Sequence, residues 1–319
     1  MEAQNTLSEV TNDAIKEKQD VQQIDKEFSS SKNDIKMNEE IKQSTEEKKE
    51  APALGTVTIT LTYGDRAENH PGMQQIGKLS DKGFSIKDLE EAKIKFESKG
   101  CECELIDLNE GLNGTGKSGE KASLLIVRKA IDFLDKDLSA DKLFDEQIKL
   151  SWDTKIKIQG KVVDKPSRSN LCYGEESQEP DYEKGKGTII AYKSIPCTSL
   201  VRDLLGEYLG EKGENLFCEG NLYYDVSKCG VPFHGDQERR KVVGVRLGAE
   251  LPLHYQWFYD KEPIGERIKL NLEHGDLYVM SEKAVGFDCK TKKITTLKHA
   301  AGCEKYLTIN EKKRSKTRW

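Results

Sequence analysis

From Asn221 to His299 the chain reads as short apolar or aromatic runs broken by turn residues about every ten positions, a rhythm that leaves few folds open. Lys241 to Gly248 is an apolar run bounded by glycine, the pattern of a buried strand. Leu253 to Tyr259 alternates and is rich in aromatics. Lys269 to Met280 reads as strand, Gly-Asp turn, strand, and Thr295 to His299 as the end of a further strand. Several short strands in succession argue a β-sandwich or jelly roll.

Two alternate residues on one such strand project to the same side, so His234 and Asp236 of His-Gly-Asp can reach one metal ion. His299, from a distant strand, can complete the set. Two histidines and one carboxylate leave about three coordination positions open, the facial arrangement of non-haem Fe(II) oxygenases.

The order of the pieces resembles the AlkB family of 2-oxoglutarate- and Fe(II)-dependent dioxygenases over about residues 150 to 310. Ile156 to Val163, with Pro166, Arg168, Tyr173 and Gly174, is similar to the family's strand followed by "PR…yG". Asn221-x-Tyr223 is similar to its N-x-Y, "HGDQE" to its HxDxE, Leu247-Gly248 to its "SLG", and "LEHGDLYVM" to its strand pair. His299 stands where the family has its second iron-binding histidine.

The resemblance implies Fe(II) on His234, Asp236 and His299, with 2-oxoglutarate and O₂ as co-substrates and Asn221 and Tyr223 as 2-oxoglutarate contacts. It implies oxidative demethylation or hydroxylation of an alkylated DNA or RNA base, with Arg168, Tyr173 and Trp257 as candidate substrate contacts. One departure stands out. The family follows its second histidine with R-x-N/S-x-T-x-R, whose arginines hold the co-substrate carboxylates. Here the segment runs from His299 to Asn310 without an arginine. Lys305 and Arg314 are the first candidates to replace them, with Arg318 and Arg246 as further ones. Other readings stay open: a dioxygenase for a protein side chain or small molecule, or a jelly-roll binding module without catalysis.

The 319 residues include 56 acidic and 51 basic ones. Residues 1–53 hold thirteen of the acidic and eight of the basic, which leaves the remainder neutral, with no basic excess to announce nucleic-acid binding. That first segment is charged and almost without aromatics. It is expected to be a disordered arm, because it cannot bury enough apolar surface to offset its chain entropy. No run has transmembrane length, and the start lacks an apolar signal core. The eight cysteines follow no disulfide or zinc-ribbon spacing, so reduced thiols and a monomer of the cytoplasm or nucleus are expected.

Residues 54–150 read as a small α/β module placed before a dioxygenase domain at 151–319, an α+β chain with a double-stranded β-helix (jelly roll) core in its C-terminal half. Thr56 to Tyr63 alternates threonine with apolar residues, a strand. Ser85 is placed to cap a helix over 86–99 that Gly100 ends, and Cys101 to Leu108 is a second strand. The spacing of Ala122, Leu125, Ile126, Ala130, Phe133 and Leu134 predicts another helix over 120–136. Gly111 to Ser118 matches G-x-x-x-x-G-K-S, the phosphate-binding loop. No ATP is expected there, since about 40 residues separate the loop from the β core, too few for a nucleotide-hydrolysing sheet. His70, His254 and His274 are given no metal role.

Overall fold

The threonine and apolar residues that alternate near position 58 sort onto two sides of one strand. The computed structural model describes residues 55–309; the arm expected over 1–53, and Arg314 and Arg318, lie outside the described residues. In chain order the strands are β1 (Thr58–Gly64), β2 (Arg66–Glu68), β3 (Gln75–Gly77), β4 (Cys103–Asp107), β5 (Ser123–Val127), β6 (Lys155–Ile158), β7 (Lys161–Asp164), β8 (Ser169–Gly174), β9 (Ile189–Ala191), β10 (Phe217–Tyr223), β11 (Gly230–His234), β12 (Val242–Gly248), β13 (Leu251–Tyr259), β14 (Glu262–Leu272), β15 (Leu277–Met280) and β16 (Thr295–Gly302). Eight of them form one large sheet, ordered β4-β5-β15-β12-β1-β10-β8-β9, antiparallel throughout except for the β8–β9 pair. Four more form a second sheet, β11-β16-β13-β14, and two small hairpins complete the set. The described chain is therefore α+β, mostly strand, as expected.

The sides of the large sheet differ in chemistry. Ile59, Leu61 and Tyr63 of β1, Val243, Val245 and Leu247 of β12, and Leu277 and Val279 of β15 point into one apolar core. Helices cover that side. Ile86–Ser98 is capped by a reciprocal Ser85–Asp88 box and buries Leu89, Ala92 and Phe96. Pro196–Leu209 buries Val201, Leu205 and Tyr208, and Phe96 stacks on Tyr208 with ring centroids 4.1 Å apart. Each leucine, valine or phenylalanine among these contributes roughly 1.5–3 kcal/mol by leaving water. A second core, with Tyr255, Trp257, Leu297, Tyr278 and Met280, fills the opposite side, toward the smaller sheet.

Two expectations are corrected. Residues 54–150 are not a separate small module: β1, β4 and β5 are strands of the same sheet as β8, β10, β12 and β15. The pairing that joins them, such as Thr58 to Gly248, spans about three-quarters of the described chain and leaves no trace in local periodicity. The helix expected over 120–136 is instead the buried strand β5 followed by a single helical turn at Ile131–Leu134. Ser-Leu-Leu-Ile-Val sends Leu125 and Val127 into one core and Leu124 and Ile126 into the other, so both its faces are buried, and a run apolar on both faces satisfies helical spacing as well.

Candidate metal centre

β11 and β16 run antiparallel with His234 directly opposite His299, and the two rings lie 4.5 Å apart between centroids. The register shifts between Val231 and His234, where Pro232 interrupts the ladder, as an edge strand tolerates. The Nδ1 of His234 lies 2.8 Å from the Pro232 carbonyl. With Nδ1 donating there, Nε2 keeps its lone pair for a ligand.

Asp236 follows through a backbone pinned from behind. Its N–H donates to the Val285 carbonyl at 3.0 Å. A Cβ on Gly235 would fall 2.1 Å from the Gly286 carbonyl oxygen, so only glycine lets the two turns meet. The result places Nε2 of His234 at 3.3 Å and Nε2 of His299 at 3.4 Å from the same Asp236 oxygen. All three ligand atoms lie within 4.8 Å of one another, a spacing that one metal ion can bridge.

Electrostatics fit that use. Burial alone would raise the Asp236 carboxyl, but hydrogen bonds from His234 and His299 and the charge of Arg239 hold it well below the usual carboxylate range. Burial pushes His234 down, yet Asp236 outweighs it and leaves the ring above the ordinary histidine value. Burial, with His234 as a second cause, lowers His299. Arg239 is 2% exposed and braces the aspartate, with Nε 3.6 Å from its second oxygen. Its other end bonds Glu219, and Glu238 at 2.7 Å. It fits because β1 ends in Gly64, where a Cβ would come 3.2 Å from the arginine chain.

The side of the large sheet that faces this cluster is polar. Thr60 of β1, Glu219, Asn221 and Tyr223 of β10, Arg246 of β12 and Tyr278 of β15 share it by strand alternation. The Asn221 amide oxygen accepts from Arg168 Nε at 2.7 Å and from Asn170 at 2.6 Å, and its NH₂ donates to Glu219 at 3.1 Å. The half-buried Arg168 adds its charge to the field at both His234 and Tyr223. Tyr223 is buried in the inner core.

Three expected contacts fall elsewhere. Lys305 is exposed on the helical turn Glu304–Leu307, its ammonium 5.6 Å from the Tyr306 ring centre, because β16 ends at Gly302. Tyr173 belongs to the helix-covered core, with its hydroxyl donating to Gln147. Trp257 is fully buried, donates from Nε1 to the Leu108 carbonyl at 2.7 Å and is roofed by Gly111 and Gly119. Neither aromatic ring is open to a base. The roles of Arg239 and Glu219 escaped the sequence reading; the signal was the alternation of Glu219 with Asn221 on β10 and the closeness of Arg239 to Asp236 in the chain.

The G-x-x-x-x-G-K-S segment runs into a strand rather than a helix, and Lys117 sits 3.9 Å over the Tyr259 ring. The helix N-terminus that a phosphate-binding loop needs is replaced there by β5. His274 is structural: its Nδ1 accepts from the Gly248 N–H at 2.8 Å, and its Nε2 lies 3.1 Å from Asp141. The eight cysteines are free thiols. Among the described residues no helix is long and apolar enough to cross a membrane.

Fold and site thus define an α+β protein of two main sheets, with a His-Asp-His cluster built from two strands of the smaller sheet and the turn that follows one of them. No family model matches the chain. It is 45% identical over 251 residues to the "Uncharacterized protein R156" of Acanthamoeba polyphaga mimivirus, a match that covers 78% of this chain and 97% of the viral one. The chain belongs to the same family as that mimivirus protein.

Proposed function

We propose that this protein is an Fe(II)- and 2-oxoglutarate-dependent dioxygenase of the AlkB type. The observation that carries the reading is the cluster itself: two imidazoles and one carboxylate, brought within 4.8 Å by paired strands and a glycine-tight turn. The sheets support it. β10-β1-β12-β15 facing β11-β16-β13-β14 gives two four-stranded antiparallel layers, the architecture of a double-stranded β-helix. In this reading β1 stands where AlkB-like sequences place the strand after their second histidine.

His234, Asp236 and His299 would hold the iron, and their donor set suits it. Bound together, Fe(II) and 2-oxoglutarate supply O₂-driven oxidation of a substrate C–H bond, with succinate and CO₂ as co-products. The chain's part is positional. The Pro232 carbonyl fixes the His234 tautomer, Arg239 fixes Asp236, and the second core keeps water from the inner side. Asn221 and Tyr223 line the face where the co-substrate would lie. Arg168 is the remaining substrate contact, and the substrate proposed is an alkylated nucleic-acid base.

The test is succinate formation by the purified protein with Fe(II), ascorbate and 2-oxoglutarate, with His234→Ala alongside and a methylated single-stranded oligonucleotide present or absent. Turnover that disappears in the variant is the expected result, with stimulation by the oligonucleotide. Turnover without stimulation would turn the reading toward a protein or small-molecule substrate. No turnover and no Fe(II) uptake would overturn the dioxygenase.

A further inference from the structure

Among the described residues, the two buried arginines other than Arg246 have acidic partners. Arg202 bonds Glu175 at 2.7 Å, and Arg239 pairs with Glu219 and Glu238. Of the half-buried arginines, Arg66, Arg168 and Arg267 bond neutral acceptors, while Arg128 and Arg240 follow the same rule, at 2.7 Å from both Glu104 and Asp276 and at 2.9 Å from Glu282. Arg246 does not. It is 1% exposed, donates once, to Thr60 Oγ1 at 2.6 Å, and leaves its Nε buried without a partner. Among the described residues no carboxylate forms an ion pair with it.

A guanidinium taken out of water without a counter-charge carries a penalty of several kcal/mol. Thr60 offsets little of that, since one neutral acceptor meets one of five N–H donors. Arg246 also faces the inner side of the sheet, where the metal cluster lies. Its neighbours there are hydroxyls. Gly244, two residues earlier on β12, pairs with Tyr278, and a Cβ on it would fall 1.9 Å from the Tyr278 ring, so the bare backbone lets that ring lie across the strand. Tyr278 feels the charges of both Arg246 and Asp236, and Tyr223 that of Arg246. Arginine, two phenols and a threonine hydroxyl thus share the face of the large sheet that is turned toward the metal cluster.

We propose that Arg246, flanked by Tyr223 and Tyr278, is the binding site for a carboxylate of a small organic acid. A planar guanidinium accepts a carboxylate through two parallel hydrogen bonds, and the burial that penalises the empty site strengthens the filled one. The identity of the acid rests on the dioxygenase reading: there it is the distal carboxylate of 2-oxoglutarate. The residue is supplied by β12, ahead of His299 in the chain, rather than by the segment after His299.

The experiment compares the full chain with Arg246→Met, Arg246→Lys and His234→Ala. Calorimetric titration uses Mn(II) in place of Fe(II), so that no turnover occurs, and two acids: 2-oxoglutarate, and pyruvate, which lacks the distal carboxylate. The unaltered protein should bind 2-oxoglutarate at least tenfold more tightly than pyruvate. Arg246→Met should take up Mn(II) normally, lose that preference, and melt roughly 2–6 °C higher without ligand, because an unpaired buried charge is gone. An Arg246→Met protein that keeps the preference overturns the assignment, as does one that melts several degrees lower while still preferring 2-oxoglutarate. Should Arg246→Met fail to fold, Arg246→Lys carries the comparison: preference reduced tenfold or more supports the site, and preference unchanged overturns it. If the unaltered protein takes up no Mn(II), the dioxygenase reading falls, and glutarate in metal-free thermal melts decides Arg246 alone. Glutarate should then raise the melting temperature of the unaltered protein and of His234→Ala but not of Arg246→Met; no rise in any of them overturns the site.

Discussion

The two faces of the large sheet are built from the same strands and do opposite work. On β1, β12 and β15, one set of alternate residues is Ile59, Leu61, Val243, Val245 and Val279, sealed under helices. The other set is Thr60, Thr62, Gly244, Arg246 and Tyr278, turned toward the histidine cluster. The first face draws its energy from apolar surface removed from water. The second holds polar groups whose satisfaction is incomplete in the protein alone, with Arg246 Nε buried and unpartnered, and the smaller sheet opposite adds Tyr255 Oη and His299 Nδ1 in the same condition. Stability and chemistry are separated by one residue of register, which is why a strand period of two organises this molecule.

The comparison breaks most visibly on the helix-covered face. Val245→Asp buries a carboxylate with no partner, and the expected outcome is loss of the folded state in urea or thermal melts. The milder Leu61→Ala should cost about 2–5 kcal/mol in urea unfolding while the molecules that remain folded take up metal normally. Metal uptake abolished in folded Leu61→Ala protein would mean that the faces are not independent. On the opposite face the balance should invert. His234→Ala is expected to weaken Mn(II) or Fe(II) binding by about 100-fold or more, yet to move the unfolding free energy by less than about 1 kcal/mol, since that side chain is 38% exposed.

Gly235→Ala sharpens the contrast from between the two. Its methyl must displace the Gly286 carbonyl, so Asp236 shifts; metal affinity should fall about tenfold to 100-fold in titration, with a stability loss of about 1–3 kcal/mol. The smallest effect is a pH dependence. Burial, with Glu238 as the next cause, raises Glu68 to about 7. A folded value above the unfolded one gives stability that is complete below the unfolded value and disappears as pH rises through about 7. Unfolding free energy should therefore decline between about pH 5 and pH 8, by about 1–2 kcal/mol, and Glu68→Gln should flatten that decline in urea titrations at the two pH values.

Much of the inner site was legible because strand parity is local. The spacing of His234 and Asp236 pointed to the pair, although β11 ends at His234 and a turn rather than strand parity brings Asp236 round, and His299 could be placed on a strand that in fact continues to Gly302. The helix over Ile86–Ser98 was legible from its cap and its terminal glycine. What parity does not reveal is which of two buried faces a residue joins. Tyr173 and Trp257 are aromatic residues on strands, which suits a stacking platform and a core equally, and both proved to be core. Arg246 carried a signal, a lone charge inside an apolar strand, but its rivals Lys305 and Arg314 matched the resemblance better by position. The division at 150 failed for a different reason: hydrogen bonds between β1 and β12 join residues that no sequence window contains.

The place of β1 also sets a clock. Its neighbours in the sheet are β10 and β12, and Thr60 meets Arg246 across 186 positions of chain. A loop of that length closes slowly, and until it does β10 and β12 each present an unpaired edge. The seam that β1 fills runs through the middle of the sheet and brings in Thr60, the one side-chain partner of the Arg246 guanidinium among the described residues. Closing that seam completes the hydrogen-bond ladder and the wall of the site together, so a molecule that lags in folding lags in acquiring its chemistry by the same interval.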